Sequence, residues 1–122
     1  MTTFSEARSE LIAAITTAGA RASADPTAAT PFVYVTGDGT GDLSRVVTGQ
    51  VTAAFRLVMC GGAWDQAAAA AELDLLKQVV LTALRGLSGW RLSGPIGRDG
   101  ARDQGGGLIL TADAFAERLI DI

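Results

Sequence analysis

The sequence predicts an α+β fold of order α-β-β-α-β-β, an antiparallel sheet with two helices packed on one face. Three observations carry that prediction. Two segments repeat apolar residues at helical spacing and keep one side polar. Residues 45–60 alternate apolar and polar with a period of two, and glycine clusters separate the periodic segments. Helices and an antiparallel sheet that are each apolar on one side satisfy one another as two layers. With 122 residues the chain is read as a single domain, 1–122, long enough for one core.

The first helix is expected over residues 3–18. Thr3 and Glu6 fit a capping box, in which hydroxyl and carboxylate each satisfy an orphaned backbone N–H. Phe4, Leu11 and Ile15 recur on its apolar side, Arg8 and Glu10 are expected outward, and Gly19 is its stop. Residues 20–31, "ARASADPTAATP", have two prolines and no apolar period, which reads as a linker or long surface loop. "FVYV", 32–35, is β-branched and aromatic, hence a short strand.

The glycine-rich stretch "TGDGTGDLSR" then reads as a hairpin tip leading into a long strand from 45 to about 60. In that strand Val47, Val51, Ala53, Phe55, Leu57 and Met59 share one face; Thr48, Gln50, Thr52 and Arg56 share the other. Gly61-Gly62 breaks it, and a long helix follows at 63–87. Trp64, Ala68, Ala71, Leu75, Leu76, Val79, Val80 and Ala83 trace its expected apolar stripe, away from Gln66, Lys77, Gln78 and Arg85. The alanine run 67–71 favours helix and allows close packing, and Gly86 and Gly89 end the element. "WRLSGPI" reads as a strand with Trp90 and Leu92 on one face, "GRDGARDQGGG" as a second polar loop, and "LILTADAFAERLIDI" as the closing strand.

Composition narrows the function. Hydrophobic residues make up 48% and charged residues 19%, a low share for a small monomer, which favours self-association. The net charge is −3 and the ten basic residues are scattered, which counts against a nucleic-acid-binding module. No apolar run approaches the ~20 residues of a membrane helix, and the N-terminus does not read as a signal peptide, so a cytosolic origin is expected. The single cysteine, Cys60, cannot form an internal disulfide and is expected as a small apolar residue near a strand end.

Candidate chemistry fails residue by residue. The stretch 35–45, "VTGDGTGDLSR", lacks the lysine and the following helix of a P-loop, and its glycines are not spaced as G-x-G-x-x-G. Asp38 and Asp42 are too few carboxylates for calcium. Histidine is absent, which removes a Ser-His-Asp triad and the usual zinc sites. Asp65 reads as a favourable first-turn acid, whereas Glu72 falls inside the apolar arc of its helix, where a rim position or a neighbouring subunit's arginine explains it. No catalytic, cofactor-binding or metal-binding residue is assigned, and no enzyme is expected. The residues that remain are candidates for a subunit or tube interface: Asp38, Asp42, Arg45, Glu72, Arg98, Asp99, Arg102 and Asp103.

The succession "FVYVTGD", "VVTGQVTAAFRLVM", "AWDQAAAAAELDLLKQVVLTALRGL", "WRLSGP" and "GGLILTADAFAERLID" covers nearly the whole chain. It resembles the tail terminator (tail completion) proteins of long-tailed phages and gene-transfer particles. The resemblance lies in the order and style of elements, without a diagnostic motif. It implies a structural virion protein that forms a six-membered ring at the tail end nearest the head. Such a ring caps the tail tube, ends tube polymerisation and meets the head connector, and DNA passes through it without specific binding. It implies neither catalysis nor a cofactor nor a membrane partner. The alternatives are a head–tail joining or neck protein, and a small cytosolic α+β module that binds a small molecule or peptide.

Overall fold

A computed structural model describes residues 3–28, 30–41, 49–62, 66–94, 98–104 and 107–121. In chain order the elements are α1 (Phe4–Ala18), β1 (Ala22–Ser23), β2 (Phe32–Gly41), β3 (Gln50–Cys60), α2 (Gln66–Arg85), β4 (Arg91–Leu92), β5 (Arg98–Gln104) and β6 (Gly107–Asp121). The α+β class holds, and the order differs from expectation by one short strand, β1, and one longer one, β5.

The sheet runs β1-β2-β3-β6-β4, with β5 also paired to β6. It is mixed rather than antiparallel throughout, because β1 pairs parallel with β2 through Ala22–Val33 and Ser23–Tyr34. That strand sits inside the segment expected to be a linker, where the Val33 N–H donates to the Arg21 carbonyl at 2.8 Å. β4 and β5 occupy the same edge of β6. Arg91 pairs with Glu117 and Leu92 with Ala116, and the Ser93 N–H bonds to the Phe115 carbonyl. The edge resumes where Arg98 pairs with Asp113.

Both glycine-rich stretches depart from the expected loops. Gly37 to Gly41 continue β2 against β3 with a bulge between Gly37 and Gly39. "RDGARDQ" is strand β5, not a loop, because β6 supplies a partner for each of its residues from Arg98–Asp113 to Gln104–Gly107. Glycine and aspartate are poor strand formers, so here the ladder, not local propensity, sets the conformation.

The helix-bearing face of the sheet holds the main core. Val33, Val35, Val51, Ala53, Phe55, Leu57, Met59, Ala112, Ala114 and Ala116 are buried there under Ala7, Leu11 and Ile15 of α1 and Leu73, Leu76, Val80 and Ala83 of α2. The β3 alternation puts residues 51, 53, 55, 57 and 59 inside, as the sequence predicts. Val47 and Thr48 lie outside the described residues, as do Trp64 and Asp65. Alanines on β6 let the helices approach closely, while Phe55 fills the centre between Phe4, at 4.7 Å, and Trp90, at 5.7 Å between ring centroids.

The α2 stripe is shifted in part from the expected one. Leu76, Val80 and Ala83 face inward as expected and Leu73 and Leu84 join them, while Ala71 is exposed and Leu75 is 68% exposed. On α1 one half of the expected capping box forms: the Thr3 Oγ1 accepts the Glu6 N–H at 3.2 Å, while the Glu6 carboxylate accepts the Thr3 hydroxyl, a side-chain donor, at 3.1 Å. Gly19, with φ of 116°, closes the helix in the left-handed region that favours glycine.

Candidate functional site

The eight candidate interface residues do not converge. Asp42 and Arg45 lie outside the described residues. Asp38 is the bulge residue of β2, opposite no residue of β3. Glu72 serves the fold: its Oε2 accepts the Gly62 N–H at 2.6 Å, which ties the β3–α2 connection to the helix. Arg98, Asp99, Arg102 and Asp103 do come together, on β5 at the edge of the sheet.

The two glycine-rich regions sit at opposite ends of that sheet. β2 ends at Gly41, whose row runs through Thr52 to Leu119 near the end of β6. β5 ends at Gln104, opposite Gly107 at the start of β6. β3 ends at Cys60 opposite Thr111, with one further bond from the Gly61 N–H to the Leu110 carbonyl. Beyond that point β5 and β6 continue as a two-stranded ribbon, from Arg102–Ile109 to Gln104–Gly107.

One polar cluster escaped the sequence reading. Arg8 and Glu10, expected outward, turn toward the sheet. The Trp90 Nε1 donates to Glu10 Oε1 at 2.7 Å, and an Arg118 guanidinium nitrogen donates to Glu10 Oε2 at 2.8 Å. Arg118 also stands over the Trp90 ring at 5.7 Å. A carboxylate that accepts from two partly buried donors locks α1, β6 and the segment before β4 together. The signal was present in β6, where residue 118 interrupts the inward row Ala112, Ala114, Ala116 and Ile120 with a charge. Arg8 lies over the Phe4 ring at 5.5 Å, and its Nε is buried without a hydrogen-bond partner.

The face away from the helices is largely polar. Arg56 binds Asp113 at 2.6 Å, and Arg91 donates to Glu117. A small second cluster of Phe32, Val58 and Cys60 lies on this face, with Ala28, Tyr34 and Ile109 against it. Cys60 is buried at the last position of β3, as expected of a small apolar residue. Between the helices runs an open groove of about 590 Å³, lined by Ala14, Ala18, Thr82, Ala83 and Leu87 with Glu10 at its rim.

Among the described residues no three His, Cys, Asp or Glu side chains gather as a metal site would require, and no helix is long and apolar enough to cross a membrane. One carboxyl is displaced in acidity. The Thr27 backbone N–H, and then its hydroxyl, hold Asp25 below the ordinary aspartate range. No protein-family model matches the chain, and no curated protein matches it at a significant level.

Proposed function

We propose that this protein is a structural, ring-forming assembly protein of the tail terminator type. Its ring caps a tail tube, ends tube polymerisation and joins the tail to a head connector. The observation that carries this reading is two-endedness: one sheet has the glycine-rich end of β2 at one end and the β5–β6 ribbon at the other. A protein between tube and connector needs a contact surface at each end, and backbone-rich hairpins fit against a partner without large side chains to accommodate. The 19% charged fraction and the exposed Leu75 and Leu81 on α2 agree with a subunit that covers surface by association.

Sedimentation and negative-stain imaging of the purified protein, alone and with tail tubes, test the reading. A ring with a central hole is expected, stable at the end of a tube. A strict monomer that forms no ring with tubes present overturns it. A head–tail neck protein shares the ring and differs in binding the connector in preference to the tube.

A small-ligand module is the reading from another class, and the 590 Å³ groove between the helices is what favours it. A ligand-dependent rise in melting temperature, abolished by Thr82→Trp at the exposed side of the groove, would support that reading over the ring.

A further inference from the structure

Along the outer edge of β5 alternate residues point their backbone N–H and C=O groups away from β6, and no strand pairs them among the described residues. The opposite border of the sheet is open as well: among the described residues β1 pairs with Val33 and Tyr34 and no strand pairs residues 36–41 of β2 on that side. Open edges are templates for another chain. The charge sequence of β5 decides which chain.

Consider first two copies of β5 pairing with each other. The twofold axis that relates two antiparallel edge strands stands perpendicular to the sheet, so residues meet on the same face and some residue faces its own copy. Centred on Gly100, this pairing sets Arg98 against Arg102. Centred on Ala101, it sets Asp99 against Asp103. Centred on Asp99, Arg102 or Asp103, it sets that charge against itself. Like charges directly opposite destabilise a strand pair, so every substantial twofold register is penalised.

Residues 36–41 of β2 avoid this conflict in registers that set their single charge, Asp38, against Arg98 or Arg102 rather than Asp99 or Asp103, and glycine stands at 37, 39 and 41. Direction also fits. β2–β3, β3–β6 and β6–β5 are each antiparallel, so β5 and β2 run oppositely. Copies that keep a common strand direction therefore pair these edges antiparallel.

We infer that the outer edge of β5 pairs with residues 36–41 of β2 in a second copy, head to tail, and that the Arg-Asp pattern of β5 excludes the twofold dimer. This builds on the proposed ring. Ala101 lies in the row of Leu110 and Gly39 in that of Ala54 and Glu117, an offset of seven residues along β6. At ~3.3 Å per residue this is roughly 23 Å, which strands tilted against the ring axis absorb, as they do in barrels.

The test uses the full chain. A Thr40→Cys/Ala101→Cys double variant, treated with a short bis-maleimide, should give a ladder of linked multimers. The two positions lie on opposite borders of one sheet, and native Cys60 is buried, so neither a link within one chain nor one through Cys60 competes. Each single-cysteine variant should stay unlinked. In parallel, Arg102→Glu should turn the Gly100-centred register from repulsive to complementary and yield a species of twice the monomer mass in sedimentation. Arg98→Glu/Arg102→Glu should lose that species, because like charges face each other again. Self-linking of Ala101→Cys as strong as that of the double variant overturns the inference, and so does an Arg102→Glu distribution identical to wild type. Assembled rings without Thr40–Ala101 linking overturn it while the ring reading stands. A wild-type monomer without linking overturns both.

Discussion

The two faces of the sheet use different physics. On the helix side, five successive inward residues of β3 are apolar and sealed, and the helices above supply complementary stripes. On the opposite side, ion pairs such as Arg56–Asp113 alternate with half-buried aromatics, and among the described residues the buried cluster is limited to Phe32, Val58 and Cys60. Apolar burial scales with area, whereas an exposed ion pair is worth little in water, so one face carries the stability and the other is free to carry contacts.

The largest effect that would break this contrast is at its centre. Phe55→Ala removes a fully buried ring between Phe4 and Trp90 and should cost about 3–5 kcal/mol in denaturant unfolding. Phe115→Ala, on the far face and only half-buried, should cost about 1 kcal/mol. Equal costs would mean that the far face is covered to the same degree.

That asymmetry explains what was legible in the sequence. The β3 alternation could be read because one face is uniformly apolar. α2 was misread in part because residues 67–71 are all alanine, which fit either side of a helix and leave Leu75 to be assigned by default. β5 was illegible because arginine, aspartate and glycine have no strand preference, and only pairing with β6 makes them one. Of the candidate interface, sequence singled out the charged residues of "RDGARD" but not the edge strand that gives their spacing a meaning. Arg8 and Glu10 were set outside by residue type, although burial of their stems and pairing of Glu10 bring them in.

The polar lock on the helix side gives the second test. Glu10→Ala leaves Trp90 Nε1 and Arg118 without their acceptor and should cost about 1–2 kcal/mol, since Glu10 is itself partly exposed. Glu10→Gln keeps an oxygen for Trp90 and loses the ion pair, so it should recover roughly half. If Gln is no better than Ala, charge alone holds the cluster.

The glycine-rich stretch of β2 sharpens the comparison at a finer scale. A Cβ at Gly37 would lie 2.8 Å from the Phe4 ring and 3.2 Å from an Arg8 nitrogen. Gly37→Ala should therefore cost about 1 kcal/mol, because Phe4 at the rim can yield partway. In a Phe4→Leu background the penalty should shrink, and a double-mutant cycle measures the coupling. An additive cycle would remove the close approach of α1 as the reason for this glycine.

The smallest effect belongs to the cover of the far-face cluster. Ala28, which packs on Phe32, Val58 and Cys60, donates its N–H to the Asp25 carbonyl at 3.3 Å. The Asp25 carboxylate in turn accepts the Thr27 N–H at 2.9 Å and its hydroxyl at 2.7 Å, while Ser23 Oγ accepts the Asp25 N–H. Both Thr27 donors favour the ionised carboxylate, the backbone N–H more than the hydroxyl, and lower its pKa in the folded chain. A depressed carboxyl contributes stability in full above the ordinary aspartate value, and that contribution disappears as pH falls through the folded value. Acid should thus loosen this turn while the apolar helix-side core holds. Thr27→Ala removes the hydroxyl donor and keeps the stronger backbone one, so NMR titration should find Asp25 shifted only partway back toward the ordinary value. A full return would assign the depression to the hydroxyl and leave the backbone turn without a part in holding the far-face cluster closed.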